Sequence, residues 1–371
     1  MQATPSKRLI SLDAFRGLTI IFMILVNNPG SWRYVLPPLR HAEWHGCTPT
    51  DLVFPFFLFI MGVAMAFSFA RRLESAGKLG PLYLQVLKRT LLLLLLGWFL
   101  NVFPEFDFAR MRLPGVLQRI GLCYFFASLI VLHLGKRMQV VSTVLLLVGY
   151  WAVMALVPFP GRGSDHWALG SNLAQYVDNL LLKGHMWKPD FDPEGFLSTL
   201  PAIATTLLGY LTGQWLRSER APLEKTTGMF VWANVLLVGA LVWKTWVPLN
   251  KQLWTSSYVL YTGGLALHFL AMSYWAIDVK GWRRGLQPMI VYGSNAILAY
   301  FGSSLLAKWL YYWQFTMADG TRQSVKGLIY TKVLVPIAGN WGGSLLYPLL
   351  HILLWLGILT VFYRKKIFIK L

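Results

Sequence analysis

Charged residues are scarce in this sequence. Only 13% of its 371 residues are Asp, Glu, Lys or Arg, whereas an ordinary soluble domain is about 25% charged. Long polar stretches that could form a separate soluble domain are also missing, and 56% of the residues are hydrophobic. These shortages argue against a water-soluble fold.

Cysteine is scarcer still. The two cysteines, Cys47 and Cys123, are too few for a disulfide framework or a cysteine metal cluster, and they leave the redox compartment open. A cleavable signal peptide is not evident either, because Asn27, Asn28 and Pro29 follow the first apolar run where a small-residue cleavage site would stand. We therefore expect the first run to be a permanent membrane span.

Acidic residues are outnumbered by basic ones. The chain has 15 Asp and Glu against 34 Lys and Arg, for a formal net charge of +19. A nucleic-acid-binding surface would group these basic residues on one soluble face. Here they punctuate the apolar runs, so we expect no nucleic-acid partner.

Apolar runs of about 20 residues recur along the chain, each long enough to cross a hydrocarbon core of about 30 Å. Trp (17 residues) and Tyr (16) lie largely near the ends of these runs, where amphipathic rings suit the membrane interface. The pattern predicts an all-α, polytopic transmembrane helix bundle, a single domain over residues 1–371, with ten spans and both termini cytoplasmic. The predicted spans lie near residues 9–29, 51–70, 89–104, 114–134, 139–157, 200–216, 227–247, 255–277, 288–312 and 343–363.

The distribution of Lys and Arg supports this topology, because cytoplasmic loops of membrane proteins are rich in both. Alternate loops are dense in basic residues, and the opposite loops are longer yet hold fewer. The predicted cytoplasmic set is Lys7 and Arg8; Arg71, Arg72, Lys78, Lys88 and Arg89; Lys136 and Arg137; Arg217, Arg220 and Lys225; Lys280, Arg283 and Arg284; and Arg364, Lys365, Lys366 and Lys370.

Three outer segments are long enough to shape a site: residues 30–50, 158–199 and 313–342. The last contains an apolar piece, Leu328 to Gly339, that is too short to span and that we expect to be re-entrant or interfacial. Gly209 and Gly213 offer a close-packing face, either for contacts within the chain or for a homodimer.

Asp13 and Arg16 are the first ionisable pair inside a predicted span. They are three residues apart and share a helix face. One interpretation is an interfacial ion pair that anchors the first span. The other is a contact to a phosphate-bearing cytoplasmic ligand.

Asp51 has two interpretations as well. Thr48 suits a helix N-cap, Pro49 suits the first helical position, and Asp51 falls three residues after the cap, as in a capping box. Alternatively, Asp51 orients the imidazole of His41 or His45, since a carboxylate that orients a histidine is a recurring catalytic device. The two histidines are four residues apart, but nearby prolines make a continuous helix doubtful and no third ligand has a telling spacing, so we expect no metal.

Arg119 and the acidic pair Asp192 and Glu194 complete the candidates. Arg119 lies inside a predicted span, where an arginine needs a counter-charge, and we predict that it pairs with Asp51. Asp192 and Glu194 stand just before another span, either in a structural turn that begins at Asp192-Pro193 or as ligands of a cationic or hydroxyl-rich acceptor.

Taken in order, these motifs resemble the heparan-α-glucosaminide N-acetyltransferase family, membrane enzymes that use acetyl-CoA to acetylate a terminal glucosamine across a lysosomal membrane, together with their bacterial relatives. The similarity covers nearly the whole chain. The matching strings are RLISLDAFRG at 8–17, HAEWHG at 41–46, DLVFPFFLFIMG at 51–62, RLPGVLQRIG at 112–121, DPEG at 192–195, NKQLW at 250–254 and YRKKIF at 363–368.

The resemblance implies site residues. The family's catalytic histidine, in an H-A-x-W-x-G string ahead of D-L-V-F-P, corresponds to His41, and a polar residue at the end of the preceding span corresponds to Asn27. Family members often carry Asn where this chain has His45, so a second imidazole competes for the assignment. The outer N-terminal domain of the animal enzyme has no counterpart here, which fits a relative in a bacterial cytoplasmic membrane.

The function implied is acetyl transfer from cytoplasmic acetyl-CoA to an amino sugar or glycan on the outer side. His41 would act as base or acetyl carrier, Asn27 would bond the thioester oxygen, and Asp51 would orient the imidazole. Trp44, Asp192 and Glu194 would line the acceptor pocket, and the CoA phosphates would meet inner basic residues, for which the candidates are Lys280, Arg283 and Arg284.

Two alternatives stay open. In a secondary transporter, Asp13, Asp51, His41 and Arg119 would relay protons or bind a solute at membrane depth. A scaffold without catalysis would bind no acetyl-CoA, and it leaves these intramembrane polar groups without a purpose.

Overall fold

The structure, a computed structural model, describes residues 9–76, 79–317 and 320–369. It is dominated by helices, which confirms the predicted all-α class. The α-helices are α1 (Ile10–Asn27), α2 (Val53–Ala76), α3 (Gly80–Val102), α4 (Val116–His133), α5 (Lys136–Leu156), α6 (Leu173–Leu182), α7 (Thr199–Arg217), α8 (Pro222–Trp243), α9 (Ser256–Ser273), α10 (Gln287–Ser294), α11 (Ala296–Tyr312), α12 (Val325–Leu328) and α13 (Val335–Arg364).

Shorter elements fill the connections. Short 3₁₀ turns at Trp32–Tyr34, Pro37–Leu39 and Pro49–Leu52 lie between α1 and α2, and π-helical turns at Tyr274–Val279 and Ile329–Leu334 follow α9 and precede α13. A two-stranded antiparallel ribbon joins β1 (Gln314–Thr316) to β2 (Arg322–Ser324), with Phe315 opposite Gln323.

Helical segments coincide with all ten predicted apolar runs. Within the described residues, seven helices are long and apolar enough to cross a membrane, and an eighth span results if α10 and α11 count together. The helices α7 and α9 lie at two further predicted runs, and most of their residues are buried in the bundle. A helix enclosed by other helices does not face lipid, so it tolerates Thr, Ser and Gly. The number of crossings and the side of the termini stay predictions.

One predicted span is broken. Residues 288–312 were expected as a continuous helix, but α10 ends at Ser294 and α11 begins at Ala296, with a bend of 85° between them. Asn295 at the break is fully buried. Its amide Nδ2 donates to the carbonyl of Ile367 at 3.0 Å, and its Oδ1 accepts the N–H of Ile369 at 2.9 Å. The bend is thus held by side-chain bonds to the C-terminal segment.

The predicted close-packing face of α7 is used within the chain. A Cβ atom on Gly209 would lie 2.0 Å from the Phe59 carbonyl oxygen, and one on Gly213 would lie 2.8 Å from the Val63 carbonyl oxygen. Only a residue without a side chain permits this approach to α2. The same face is therefore not open to a second copy of the chain.

Hydrogen bonds gather several loops at one end of the bundle, which we call the His41 end. Gly46 N–H donates to the Leu249 carbonyl at 2.7 Å, and Trp44 Nε1 donates to the Trp167 carbonyl at 2.8 Å. The predicted outer segments 30–50 and 158–199 therefore meet here, together with the loop that precedes α9.

The opposite ends of the helices form what we call the basic end. Ser11 N–H donates to Asp278 Oδ2 at 3.1 Å, and Arg217 bridges to Glu74 at 3.4 Å. Four of the predicted cytoplasmic basic residues, Lys7, Arg8, Lys78 and Lys370, lie outside the described residues.

The apolar piece from Leu328 to Gly339 turns back on itself. Gly339 has φ 67° and ψ −179°, outside the helical region, and Tyr330 OH donates to the Asn340 carbonyl at 3.2 Å. In a straight helix these two residues would be about 15 Å apart. The piece is thus a short helix that folds against the start of the last span and does not itself span. Two residues of the predicted outer segment, 318 and 319, lie outside the described residues.

Candidate active site

Asp51 begins its span as the local sequence predicts. Thr48 precedes the turn Pro49–Leu52 in a capping box, and its backbone N–H donates to Asp51 Oδ2 at 3.0 Å. The same oxygen accepts the Thr48 hydroxyl and the Ala42 N–H, each at 3.0 Å. The carboxylate is only 1% exposed, so these three donors hold one of its oxygens in a fixed position.

The other carboxylate oxygen faces His41. Asp51 Oδ1 lies 2.6 Å from His41 Nδ1, and we assign a proton to Nδ1 because two lone pairs at this distance would repel each other. Nε2 then carries the free lone pair. The His41 side chain is 36% exposed, so a substrate can reach it. Both interpretations of Asp51 hold at once: it caps the helix and orients an imidazole.

Lys251 was not predicted as a site residue, yet it completes this cluster. Its Nζ lies 3.0 Å from His41 Nδ1 and 3.5 Å from Asp51 Oδ1. Burial lowers the pKa of Lys251 below its ordinary value, while the carboxylates of Asp51 and Glu194 oppose that shift. The signals in the sequence are the polar run Asn250-Lys251-Gln252 directly before a span and the family-like string NKQLW at 250–254.

The predicted pairing of Arg119 with Asp51 is wrong, because Lys251 is the cation beside Asp51. Arg119 is 1% exposed. It donates to the Gly195 carbonyl at 2.9 Å and to the Ser198 hydroxyl, and its guanidinium lies 5.3 Å from the Trp254 ring centroid. Arg119 therefore anchors the segment that leads into α7.

Asp192 serves structure, in contrast to the acceptor-binding role considered from the sequence, whereas that role stays a prediction for Glu194. Arg112 donates to both oxygens of Asp192, at 2.6 and 2.8 Å, and also to Glu194. Asp192 further accepts the N–H groups of Trp187 and Glu194, at 2.8 and 2.9 Å. Its oxygens are buried and fully engaged, so an acceptor cannot bind them.

His45 and Trp44 follow His41 in the sequence, but their hydrogen-bond partners are residues other than Asp51. His45 Nδ1 is 3.3 Å from Asn250 Nδ2, and burial lowers the pKa of His45 although Asp165 opposes the shift. The Trp44 ring packs against Phe191 with centroids 5.3 Å apart, and its N–H already donates to Trp167. The imidazole that meets a carboxylate is thus His41.

Asn27 lies in the last turn of α1. Its side chain is exposed and makes no hydrogen bond with the residues that the structure describes. Its predicted role toward a thioester oxygen stays a prediction, because the structure does not join it to the His41 cluster.

Asp13 and Arg16 form the predicted ion pair at the basic end. Arg16 NH1 lies 3.2 Å from Asp13 Oδ1 and donates to the Gly293 carbonyl at 3.3 Å. Both residues also line a cavity of about 640 Å³, so the pair anchors the span and faces an internal space.

This cavity follows one face of α2. Its α2 residues recur every three or four positions: Phe57, Ile60, Met61, Ala64, Phe67, Ser68, Arg71 and Arg72. At 1.5 Å per residue the stretch from Phe57 to Arg72 is about 22 Å long, and Phe57 is about 9 Å along the axis from Asp51. The cavity therefore leads from the basic end toward the His41 cluster.

Its charged lining is concentrated at the basic end. Arg16, Arg71, Arg72 and Arg89 line it there, beside Gln85. Within the described residues, Arg89 Nε and Gln85 Oε1 are buried without a hydrogen-bond partner. An unpaired buried polar atom costs about 1–3 kcal/mol, but these two atoms have almost no accessible surface, so an occupant of the cavity would reach them only if the side chains turned.

The predicted CoA-binding candidates are elsewhere. Lys280, Arg283 and Arg284 lie in the connection that follows the π-helical turn and precedes α10, and they do not line this cavity. Lys280 Nζ instead lies over the Trp275 ring, 5.6 Å from its centroid. The basic loops correctly marked the basic end of the bundle. The arginines that line the cavity there lie on helix faces and not in this loop.

Comparison with known proteins gives a consistent family. Residues 8–243 match the sequence model described as "Heparan-alpha-glucosaminide N-acetyltransferase, catalytic". Heparan-alpha-glucosaminide N-acetyltransferase from Homo sapiens is 29% identical over 423 aligned positions, covering 98% of this chain and 60% of that protein. The protein of the same name from Mus musculus is 28% identical, covering 99% of this chain and 61% of its own length. The chain thus spans about 60% of the length of these curated relatives.

Proposed function

This chain belongs to the heparan-alpha-glucosaminide N-acetyltransferase family, and on that premise we propose that it transfers an acetyl group from acetyl-CoA to an amino sugar or glycan. The donor binds from the basic end, which we place in the cytoplasm of a bacterial cell. The acceptor reaches His41 from the opposite, outer side of the cytoplasmic membrane.

The cavity along α2 is the observation that supports this proposal most. The CoA phosphates carry several negative charges, which the four arginines at its basic end would bind. The pantetheine arm carries amide groups, which suit the polar side chains of Gln85 and Arg89 in the cavity lining. Apolar side chains, among them Phe57 and Met61, line the remaining length, which suits the thin arm of the donor and directs the thioester toward the His41 cluster.

His41 Nε2 performs the chemistry in this proposal. With Nδ1–H bonded to Asp51, the Nε2 lone pair takes a proton from the acceptor amine as the amine attacks the thioester carbonyl. The C–S bond breaks, the acetyl group forms an amide, and the thiolate leaves and is protonated to free CoA. In a relay, Nε2 itself attacks first and the amine then attacks acetylimidazole. Asn27 is our candidate to stabilise the developing oxyanion.

The test is acetyl transfer by the purified chain in detergent with radiolabelled acetyl-CoA and glucosamine. We expect His41→Ala to lose roughly 10²- to 10⁴-fold in rate, the range of general acid–base catalysis, while His166→Ala, in the outer loop, keeps full activity. A normal rate for His41→Ala would refute the assignment. Mass spectrometry without acceptor separates the routes, because only the relay leaves an acetyl group on His41.

A further inference from the structure

We propose that Lys251 is a positioning residue that shares the Asp51 carboxylate with His41 and thereby offsets the attraction of that carboxylate for a second proton on the imidazole. The kinetic part of this inference rests on the proposed function. The electrostatic part concerns the imidazole alone and can be tested without any acetyl transfer.

Lys251 is held in place by its loop and does not move freely on the surface. Its neighbour Asn250 is fully buried and accepts the Leu253 N–H on Oδ1 at 2.8 Å. The Tyr150 hydroxyl donates to the Leu253 carbonyl at 2.5 Å, and Trp254 adopts φ 50°, a backbone conformation that is uncommon for such a large side chain. The Lys251 side chain itself is 16% exposed. These bonds fix the ammonium beside the pair.

The arrangement differs in charge from a simple histidine–carboxylate pair. A carboxylate alone favours the imidazolium form of its histidine. A cation 3.5 Å from the same oxygen, Asp51 Oδ1, and 3.0 Å from His41 Nδ1 offsets that attraction. Asp51 and Lys251 together carry no net charge, so the imidazole loses its proton at a lower pH than it would beside Asp51 alone.

Other titratable groups near the cluster do not reverse this balance. Cys47 and Glu194 interact with Lys251 or Asp51, and the Tyr258 hydroxyl donates to the Asp51 backbone carbonyl at 2.5 Å. His45, with Asp165 near it, lies against Asn250, the residue before Lys251. Burial raises the pKa of Cys47 to about 12, so its thiol is uncharged at neutral pH. Glu194 is already bonded to Arg112. The Lys251 ammonium is therefore the group whose removal changes the charge beside His41.

An uncharged His41 has a direct consequence for the reaction. Only the neutral imidazole has a lone pair on Nε2 to accept the amine proton or to attack a thioester. Lys251 thus widens the pH range in which the site is active toward acidic pH, without contacting the substrate.

The experiment measures the pH dependence of His41 carbethoxylation by diethyl pyrocarbonate, read by tandem mass spectrometry on the purified full chain. This reagent modifies neutral imidazole, so the midpoint reports the His41 pKa. We expect Lys251→Met to raise the midpoint by roughly one pH unit and Lys251→Arg to restore it. Lys244→Met, an exposed lysine of the same connection, is the matched control and leaves the midpoint unchanged.

The same variants give a kinetic readout. In Lys251→Met, the acidic limb of the pH profile of kcat/KM should move upward by the same amount, with activity at high pH largely kept. Equal loss at every pH with an unchanged carbethoxylation midpoint would overturn the proposal and leave Lys251 a structural residue. If Lys251→Met does not fold, Lys251→Gln tests the same charge. A shifted midpoint in a chain whose wild type transfers no acetyl group would refute the proposed function and leave this inference standing.

Discussion

Two buried aspartates at the His41 end, Asp51 and Asp192, have similar backbone contacts but different side-chain partners. Asp51 and Asp192 are each 1% exposed, accept backbone N–H groups and lie beside a cation. Arg112 binds both oxygens of Asp192 in a bidentate ion pair. Its guanidinium does not lose its proton, so the pair stays charged. Asp51 meets an imidazole that is 36% exposed. A partner that titrates and reaches open space distinguishes a reactive carboxylate from a structural one.

Asp192→Asn should produce the largest effect. It leaves the half-buried Arg112 with one carboxylate fewer, and breaking an ion pair that has a buried partner costs up to about 3–5 kcal/mol. We expect a large drop in Tm and in the yield of monodisperse protein. Any molecules that fold should turn over acetyl-CoA normally. A stable variant with impaired catalysis would reverse the comparison.

The same substitution at Asp51 should separate the two aspartates. Asp51→Asn keeps an oxygen for the Thr48 and Ala42 N–H groups but loses the charge that orients the His41 tautomer. We predict a rate loss of roughly 10²-fold or more and a smaller drop in Tm than for Asp192→Asn, because Lys251 beside Asp51 can lose its proton when the carboxylate is gone, whereas Arg112 cannot. The measurements are kcat in detergent and Tm by differential scanning fluorimetry. Glu43→Gln, exposed beside His41, is the control.

The Asp51 part of this contrast was predictable from the sequence, and the Lys251 part was not. The capping box depends on neighbours three residues apart, which the sequence shows directly. The contact between Lys251 and His41 joins residues 210 positions apart, and only the packing of two loops brings them together. Arg119 was paired with Asp51 by depth alone, but its guanidinium faces the segment before α7.

The helices show the same limit: a feature set by nearby residues was predictable, and one set by contacts between distant residues was not. Apolar length located a helical segment at each of the ten predicted spans, because lipid requires about 20 apolar residues whatever the neighbours are, but it missed α6, a shorter helix within the predicted outer segment 158–199. The break at Asn295 escaped prediction since the residues on both sides are apolar and the bend depends on bonds to Ile367 and Ile369. Likewise, a dense basic loop pointed to Lys280, Arg283 and Arg284, whereas the cavity is lined by arginines of α1, α2 and α3.

Arg89→Gln extends the comparison to the cavity along α2, where the proposed function places acetyl-CoA. If Arg89 binds the donor, the variant should raise the KM for acetyl-CoA about tenfold, which corresponds to about 1.4 kcal/mol, with kcat little changed. Arg283→Gln, at the same end but outside the cavity, should leave KM unchanged. Steady-state kinetics over a range of acetyl-CoA concentrations distinguishes the two. An effect of Arg283→Gln alone would restore the loop prediction.

Asp178 is a third buried carboxylate, and its substitution should give the smallest change in stability of the variants considered. It accepts the Phe196 N–H at 2.7 Å, and burial raises its pKa to about 6. Because the folded-state pKa exceeds the ordinary value, its protonated form stabilises the fold at low pH, and that contribution is lost as pH rises through about 6. Asp178→Asn should therefore gain about 1 kcal/mol relative to wild type at pH 7.5. The gain should vanish near pH 4.

A Tm series between pH 4 and pH 8 measures this difference, with exposed Asp190→Asn as the control. A variant that is less stable than wild type at every pH would show that Asp178 is held as a charged group, like Asp192.

Transfer across a sealed membrane would separate the two sides to which the proposed function assigns donor and acceptor. Proteoliposomes are loaded with glucosamine, acetyl-CoA is added outside, and two products are followed: free CoA thiol outside and N-acetylglucosamine in the lumen. We expect both products to appear in equal amounts with the wild-type chain and neither to form with His41→Ala. Product that forms only when donor and acceptor share one side, or that forms equally with His41→Ala, would contradict the proposed function.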